Sequence, residues 1–311
     1  MLDTMHKYLK KEHHLIAASL VRIGFGTIIS LFYILHVFQK DFYWGPNGVY
    51  PYENFVKNVA QANSFSLYQL SDSMIYFNFL YFTGMIVALL YTLGFKTRWL
   101  GILNFILIWS LFERNPFVLD GGNNILTICL FFLLFANVGA YFTIGKPVRK
   151  SHPFLSALHN ISILACVLQL AVLYLFSGLY KAQGHMWYNG VALYYVLQID
   201  EFTLPSLAPY FYSNPFILTS ITYFTMIFQI AFPFLIWNKS TKWIMALTSM
   251  LFHLGIAVIM GLVAFGLTMI CIDLLLFSDD AYKKAYLKIA SFIEKLKKYF
   301  RKFVNPQQEL S

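Results

Sequence analysis

A chain of 311 residues would ordinarily fold as one or two soluble domains, but 59% hydrophobic and only 12% charged residues exclude that. With 32 Phe, 21 Tyr and 6 Trp there is more apolar surface than one water-soluble core can hide, which excludes disorder and a secreted disulfide scaffold as well. The net charge of +9 is carried largely by short segments between apolar runs, so it reports membrane orientation and not a nucleic-acid partner. The expected class is all-α, a polytopic transmembrane helical bundle. Cys129, Cys166 and Cys271 each sit in an apolar run and read as no disulfide framework.

Residues 1–14 form a polar N-terminal segment. Apolar runs able to cross a bilayer follow at Leu15–Phe38, Met74–Phe95, Trp99–Phe112, Ile125–Ile144, Leu158–Tyr180 and Phe216–Trp237. The first reads as a retained span, because it contains Arg22 and no small-residue cleavage site follows it. The run Ile244–Phe277 is too long for one span, and Gly261 and Gly266 near its middle predict two short helices. About eight spans result, within a membrane domain over 15–278. Residues 279–311 make a basic tail. In it Tyr286, Ile289, Ile293, Leu296, Phe300 and Phe303 recur at helical spacing, as in an amphipathic helix lying on anionic membrane lipids.

Charge tests this topology. With eight spans, Lys7, Lys96, Lys146, Lys239 and the basic tail share one side. That side collects most of the 23 Lys and Arg, and the positive-inside rule makes it cytoplasmic, with both termini. The opposite side holds Lys40, Lys57, Arg114 and Lys181 among a majority of acids. Of its two long loops, Ala182–Pro215 is rich in Trp and Tyr, and a short interfacial helix is expected near Val191–Ile199 as a partial lid.

Few ionisable groups lie within spans, where they are costly unless paired or functional. Arg22 in the first span and Asp273 in the last lie at matching depths, which predicts a buried structural pair or, as the alternative, a proton or substrate pathway. His253 and His36 each read as a hydrogen-bonded packing residue or a ligand. The segment from Glu113 and Arg114 through Asn115-Pro116 to Asp120-Gly121-Gly122-Asn123-Asn124 gathers nearly every polar type at a membrane boundary. It reads either as an N-cap with a solvated loop or as a site where Asp120, Asn123 and Asn124 hold a polar ligand. Lys181, with Tyr180 before it and His185 and Trp187 after it, reads either as a snorkelling lysine or as a desolvated base. No metal-ligand cluster is present.

These segments resemble a known family. Asn115-Pro116 with Asp120-Gly121-Gly122-Asn123, then Ser177-Gly178-x-x-Lys181 with Trp187 and Gly190, are similar to the HTTM domain. So is Leu251-Phe252-His253-Leu254 leading to Met260-Gly261-Leu262-x-x-Phe265. This domain is shared by vitamin K-dependent gamma-carboxylases and bacterial relatives, among them the sporulation-delaying protein B family of antimicrobial-peptide operons, which the layout resembles most. The resemblance spans roughly Leu15–Phe277. It implies a bacterial plasma-membrane protein that modifies or matures a secreted antimicrobial peptide at the outer face. A quinol of the vitamin K or menaquinol type is the implied cofactor, and a small SdpA-like protein the implied partner. Lys181 falls on the lysine that deprotonates the quinol in the carboxylases. Ile125 stands where those enzymes carry a histidine, and His185 is the candidate to replace it. A non-catalytic assembly factor for an exported peptide and a lipid or small-molecule transporter are the alternative classes.

Overall fold

The computed structural model describes residues 9–145, 147, 152–199 and 203–304, which are helical with no strand among them. Five helices are long and apolar enough to cross a membrane: α1 (Leu15–Leu35), α2 (Met74–Leu93), α5 (Pro153–Gln183), α6 (Pro215–Leu235) and α7 (Lys239–Ile259). The chain is an integral membrane protein. Three further helices complete the serpentine: α3 (Thr97–Arg114), α4 (Gly121–Leu133) and α8 (Val263–Asp273, extended by a 3-10 turn at Leu274–Leu276).

Helix pairs build the bundle, α1 packing along α2, α5 along α6 and α7 along α8. Apolar residues point outward as well as inward, as the bilayer demands. Ile161, Leu164, Leu168, Val172 and Phe176 make an exposed stripe down α5 at helical spacing, while Ile163, Val167, Leu170 and Tyr174 are buried. Gly178 sets how closely α5 and α6 approach: a Cβ there would lie 2.9 Å from the Ile230 backbone nitrogen. The expected break in the last run falls at Met260–Leu262, where Gly261 adopts a left-handed φ of 68°.

The fourth predicted span, Ile125–Ile144, is corrected. Helix α4 stops at Leu133, and residues 134–145 run as turns despite their apolar character. Side chains from other helices satisfy the backbone that leaves the helix. Ser19 accepts from the Tyr141 N–H, His159 accepts from the Asn137 N–H, and Arg22 donates to the Val138, Tyr141 and Phe142 carbonyls. Irregular backbone at that depth persists only when so satisfied.

The Arg22–Asp273 pair is also corrected. Both side chains are fully buried, yet Arg22 spends its donors on backbone carbonyls, including those of Tyr91 and Thr92 at 2.9 Å. Asp273 instead accepts from the Ser249 hydroxyl. A guanidinium offers five donors in a fixed fork, and a turn of converging carbonyls satisfies it as well as one carboxylate could.

At one end of the bundle the first and last elements meet. His14 precedes α1 in the left-handed region and donates through Nδ1 to the Phe277 carbonyl at 2.8 Å. The Asp279 carboxylate accepts from the Leu15 and Ile16 N–H groups at 3.1 and 2.7 Å, capping α1 from outside its own sequence. Asp279 opens α9 (Asp279–Val304), whose Tyr286, Ile289 and Ile293 are exposed.

Candidate functional site

At the opposite end, α5, α6, α7 and the start of α8 enclose a cavity of about 400 Å³. Helical periodicity brings its polar groups together. Tyr174, Ser177 and Lys181 stand at i, i+3 and i+7 on α5, Thr225 and Gln229 at i and i+4 on α6, and Ser249 and His253 at i and i+4 on α7. All but Ser249 line the cavity, and Ser249 lies behind Tyr174 and His253. Leu193, Val196 and Leu197, from and just after the short helix Ala192–Val196, form part of the wall. This is the helix expected near Val191–Ile199.

Lys181 donates to Ser177 Oγ at 2.8 Å, and its ammonium nitrogen lies 5.1 Å from the centre of the Trp187 ring. The amine is thus held at the mouth of the cavity by one hydroxyl and one aromatic face. Deeper in, His253 is 2% exposed, and its ring packs edge-on to Phe265 and Tyr174 with centroids 5.5 and 5.9 Å apart. Its Nε2 is 2.7 Å from the Tyr174 hydroxyl, which is 2.6 Å from Ser249 Oγ, and Ser249 donates to Asp273. His253 Nδ1 and Gln229 Oε1 are buried without a hydrogen-bond partner among the described residues. Such groups are costly in an apolar interior, so two polar atoms left open in residues that line one cavity mark it as the candidate ligand site.

The structure separates the other expected binding residues from this cavity. Asp120 and Asn123 form a reciprocal capping box at the start of α4, each accepting the other's backbone N–H at 3.0 Å. Arg114 is buried and donates to the Gly45 and Tyr50 carbonyls at 2.7 and 3.0 Å, with the Phe55 ring 4.8 Å away, so it anchors the preceding loop. Glu113 is half-buried beside it. Asn124 lines a different groove with Trp109 and Phe131. The segment reaches the cavity only through Gly121 and Gly122, which lie against Phe265, itself a lining residue. Trp187 lines the cavity as expected, whereas Tyr180 is exposed beside Phe176. His185 is exposed, bonded to Asn189 at 3.1 Å in a shallow neighbouring recess, and does not replace the histidine absent at Ile125. His36 binds the Phe32 carbonyl of its own helix.

The residues that sequence reasoning passed over are Tyr174 and Gln229, and His253 reads there as a packing residue before a ligand. The signal was present as polar residues at helical spacing on three successive apolar runs.

The chain is 24% identical over 222 residues to the uncharacterized protein YitO of Bacillus subtilis (strain 168), covering 68% of this chain and 71% of YitO. No family profile and no solved structure matches the chain.

Proposed function

We propose that this protein is a bacterial plasma-membrane enzyme, or enzyme subunit, that modifies or matures an exported peptide at the outer face. Its site is the cavity between α5, α6 and α7. The observation that carries the reading is the gathering of Lys181, His253 and Gln229 in the lining of one mostly apolar chamber, with His253 Nδ1 and Gln229 Oε1 left without a hydrogen-bond partner among the described residues. An amphiphile with an aromatic body and hydroxyl groups fits that pattern, which is the chemistry of a quinol. Bound there, a quinol would supply reducing equivalents and, on reaction with molecular oxygen, a strong base. Lys181, as the neutral amine, would take a hydroxyl proton. Gln229 Oε1 accepts from a hydroxyl, and Trp187 and the Leu193–Leu197 segment exclude water from the chamber. The HTTM-like motifs support the same reading, since Gly178, Lys181, Trp187, His253 and Phe265 all lie at or against this cavity. The proposed topology has eight spans with both termini cytoplasmic, and the proposed partners are a small SdpA-like protein and the peptide itself.

Lys181→Met keeps the aliphatic stem and removes the amine. Cells carrying it are expected to secrete none of the modified peptide, by mass spectrometry, while the protein remains folded. Wild-type amounts of modified peptide would discard the enzymatic reading in favour of a non-catalytic assembly factor.

A further inference from the structure

Asp273, Ser249, Tyr174 and His253 come from three helices, are each at most 2% exposed, and form one unbroken hydrogen-bonded chain. The donor inventory orients it. With Asp273 as the carboxylate, Ser249 gives it its one hydrogen, so the Ser249 oxygen accepts from Tyr174. With that hydrogen committed, the Tyr174 oxygen accepts from His253 Nε2–H. The ring then presents Nδ1 as a bare acceptor, and that atom has no partner among the described residues. A carboxyl group buried this deeply is expensive, and the chain that holds it carries an unpartnered atom at each end. Asp273 Oδ1 is the other open atom.

We propose that Tyr174, Ser249 and Asp273 are a proton relay behind His253, making His253 Nδ1 a second proton acceptor of the cavity. It lies inward from Lys181, since the seven residues from Tyr174 to Lys181 span about 10 Å of helix. The proposal rests on the reading of this cavity as the reaction site. His253 Nδ1 takes a proton from a ligand hydroxyl. The Nε2 hydrogen passes to the Tyr174 oxygen, the Tyr174 hydrogen to Ser249 Oγ, and the Ser249 hydrogen to Asp273 Oδ2. Each N–H or O–H bond broken is matched by one formed. The products are a neutral Asp273 carboxylic acid, a neutral His253 of the opposite tautomer and a ligand oxyanion, with no oxidant or reductant required. Ser249 and Asp273 lie behind the cavity lining and act as positioning residues, and Tyr174, which lines the cavity, links them to His253. The relay carries charge from the cavity to a carboxylate in the bundle interior, which Lys181 at the mouth cannot do.

Two measurements on the full chain in lipid nanodiscs test this. In the first, ring nitrogens of ¹⁵N-histidine-labelled protein are observed by NMR, with His253→Asn identifying the signal. The expected wild-type state is a single Nε2–H tautomer. It is expected to be lost to a mixture in Tyr174→Phe and Ser249→Ala and restored by Ser249→Thr, all three folded by thermal unfolding. An Nδ1–H tautomer in the wild type, or one that none of the variants disturbs, would overturn the relay. In the second, menadiol is added under argon and the infrared difference spectrum recorded. A new protonated-carboxyl band is expected, absent from Asp273→Asn and from Tyr174→Phe. Menadiol bound without that band would overturn the relay and leave the quinol reading standing. No menadiol binding, with the tautomer pattern intact, would overturn the quinol reading and leave the relay standing.

Discussion

The Arg22 guanidinium and the Phe142 carbonyl lie 2.6 Å apart, and this bond joins the first span to the turns that follow helix α4. With the bonds to Val138, Tyr91 and Thr92 it makes one side chain the common anchor of three chain segments. Carbonyl dipoles, not a counter-ion, offset the charge.

Arg22→Leu is therefore expected to destabilise the protein by at least about 3 kcal/mol, because each stranded carbonyl costs ~1–3 kcal/mol. Adding Asp273→Leu is expected to give no rescue. The two side chains share no partner, so the costs should add within about 0.5 kcal/mol. Denaturant unfolding of the single and double variants in detergent measures this. A double variant more stable than Arg22→Leu would restore the ion pair.

Gly178→Val places a side chain against the Ile230 backbone nitrogen, a group that cannot rotate away. Helices α5 and α6 are expected to part, at a cost of about 1–3 kcal/mol. The same shift moves Lys181, one turn further along α5. Thermal unfolding and cysteine cross-linking between α5 and α6 would both report it, and an unchanged melting temperature would refute the close-approach argument.

Acid is expected to weaken the end of the bundle where His14 sits. Burial holds the His14 imidazole below its ordinary 6.5, with Lys242 and His13 adding in the same direction. The Phe277 carbonyl and Asp279 oppose them without prevailing. The unfolded chain then binds the proton first, so the contribution is complete above about pH 6.5 and is lost as pH falls below it. His14→Asn, which tolerates the left-handed backbone, is expected to flatten the slope of stability against pH between 6.5 and 5. A slope as steep as that of the wild type would assign the effect elsewhere.

Orientation is tested by labelling. Asn47 and Ser240 are exposed at opposite ends of the bundle. A membrane-impermeant maleimide is expected to label Asn47→Cys in intact cells and Ser240→Cys only after permeabilisation. The reverse pattern would invert the topology and move the cavity mouth to the cytoplasmic side.

Much of the fold was legible because apolar runs and their breakers are written directly in the residues. The break at Gly261 and the start of α1 at Leu15 are examples. The end of α4 was not legible. Residues 134–144 are as apolar as a span, and what stops the helix is a set of side chains from α1 and α5 that no local pattern announces. Arg22 was misread for the same reason, since backbone carbonyls carry no sequence signature. Lys181 and Trp187 were legible from their motif. The loop residues Asp120 and Asn123 drew attention by polarity alone, and their side chains turned out to serve the helix end.

The cap that Asp279 places on Leu15 and Ile16 has a temporal consequence. During synthesis α1 enters the membrane with its leading N–H groups open, and the carboxylate that closes them lies 264 and 263 residues further along the chain. Helix α1 is thus finished only once α9 has emerged, so this end of the bundle closes after the helices between them have been made.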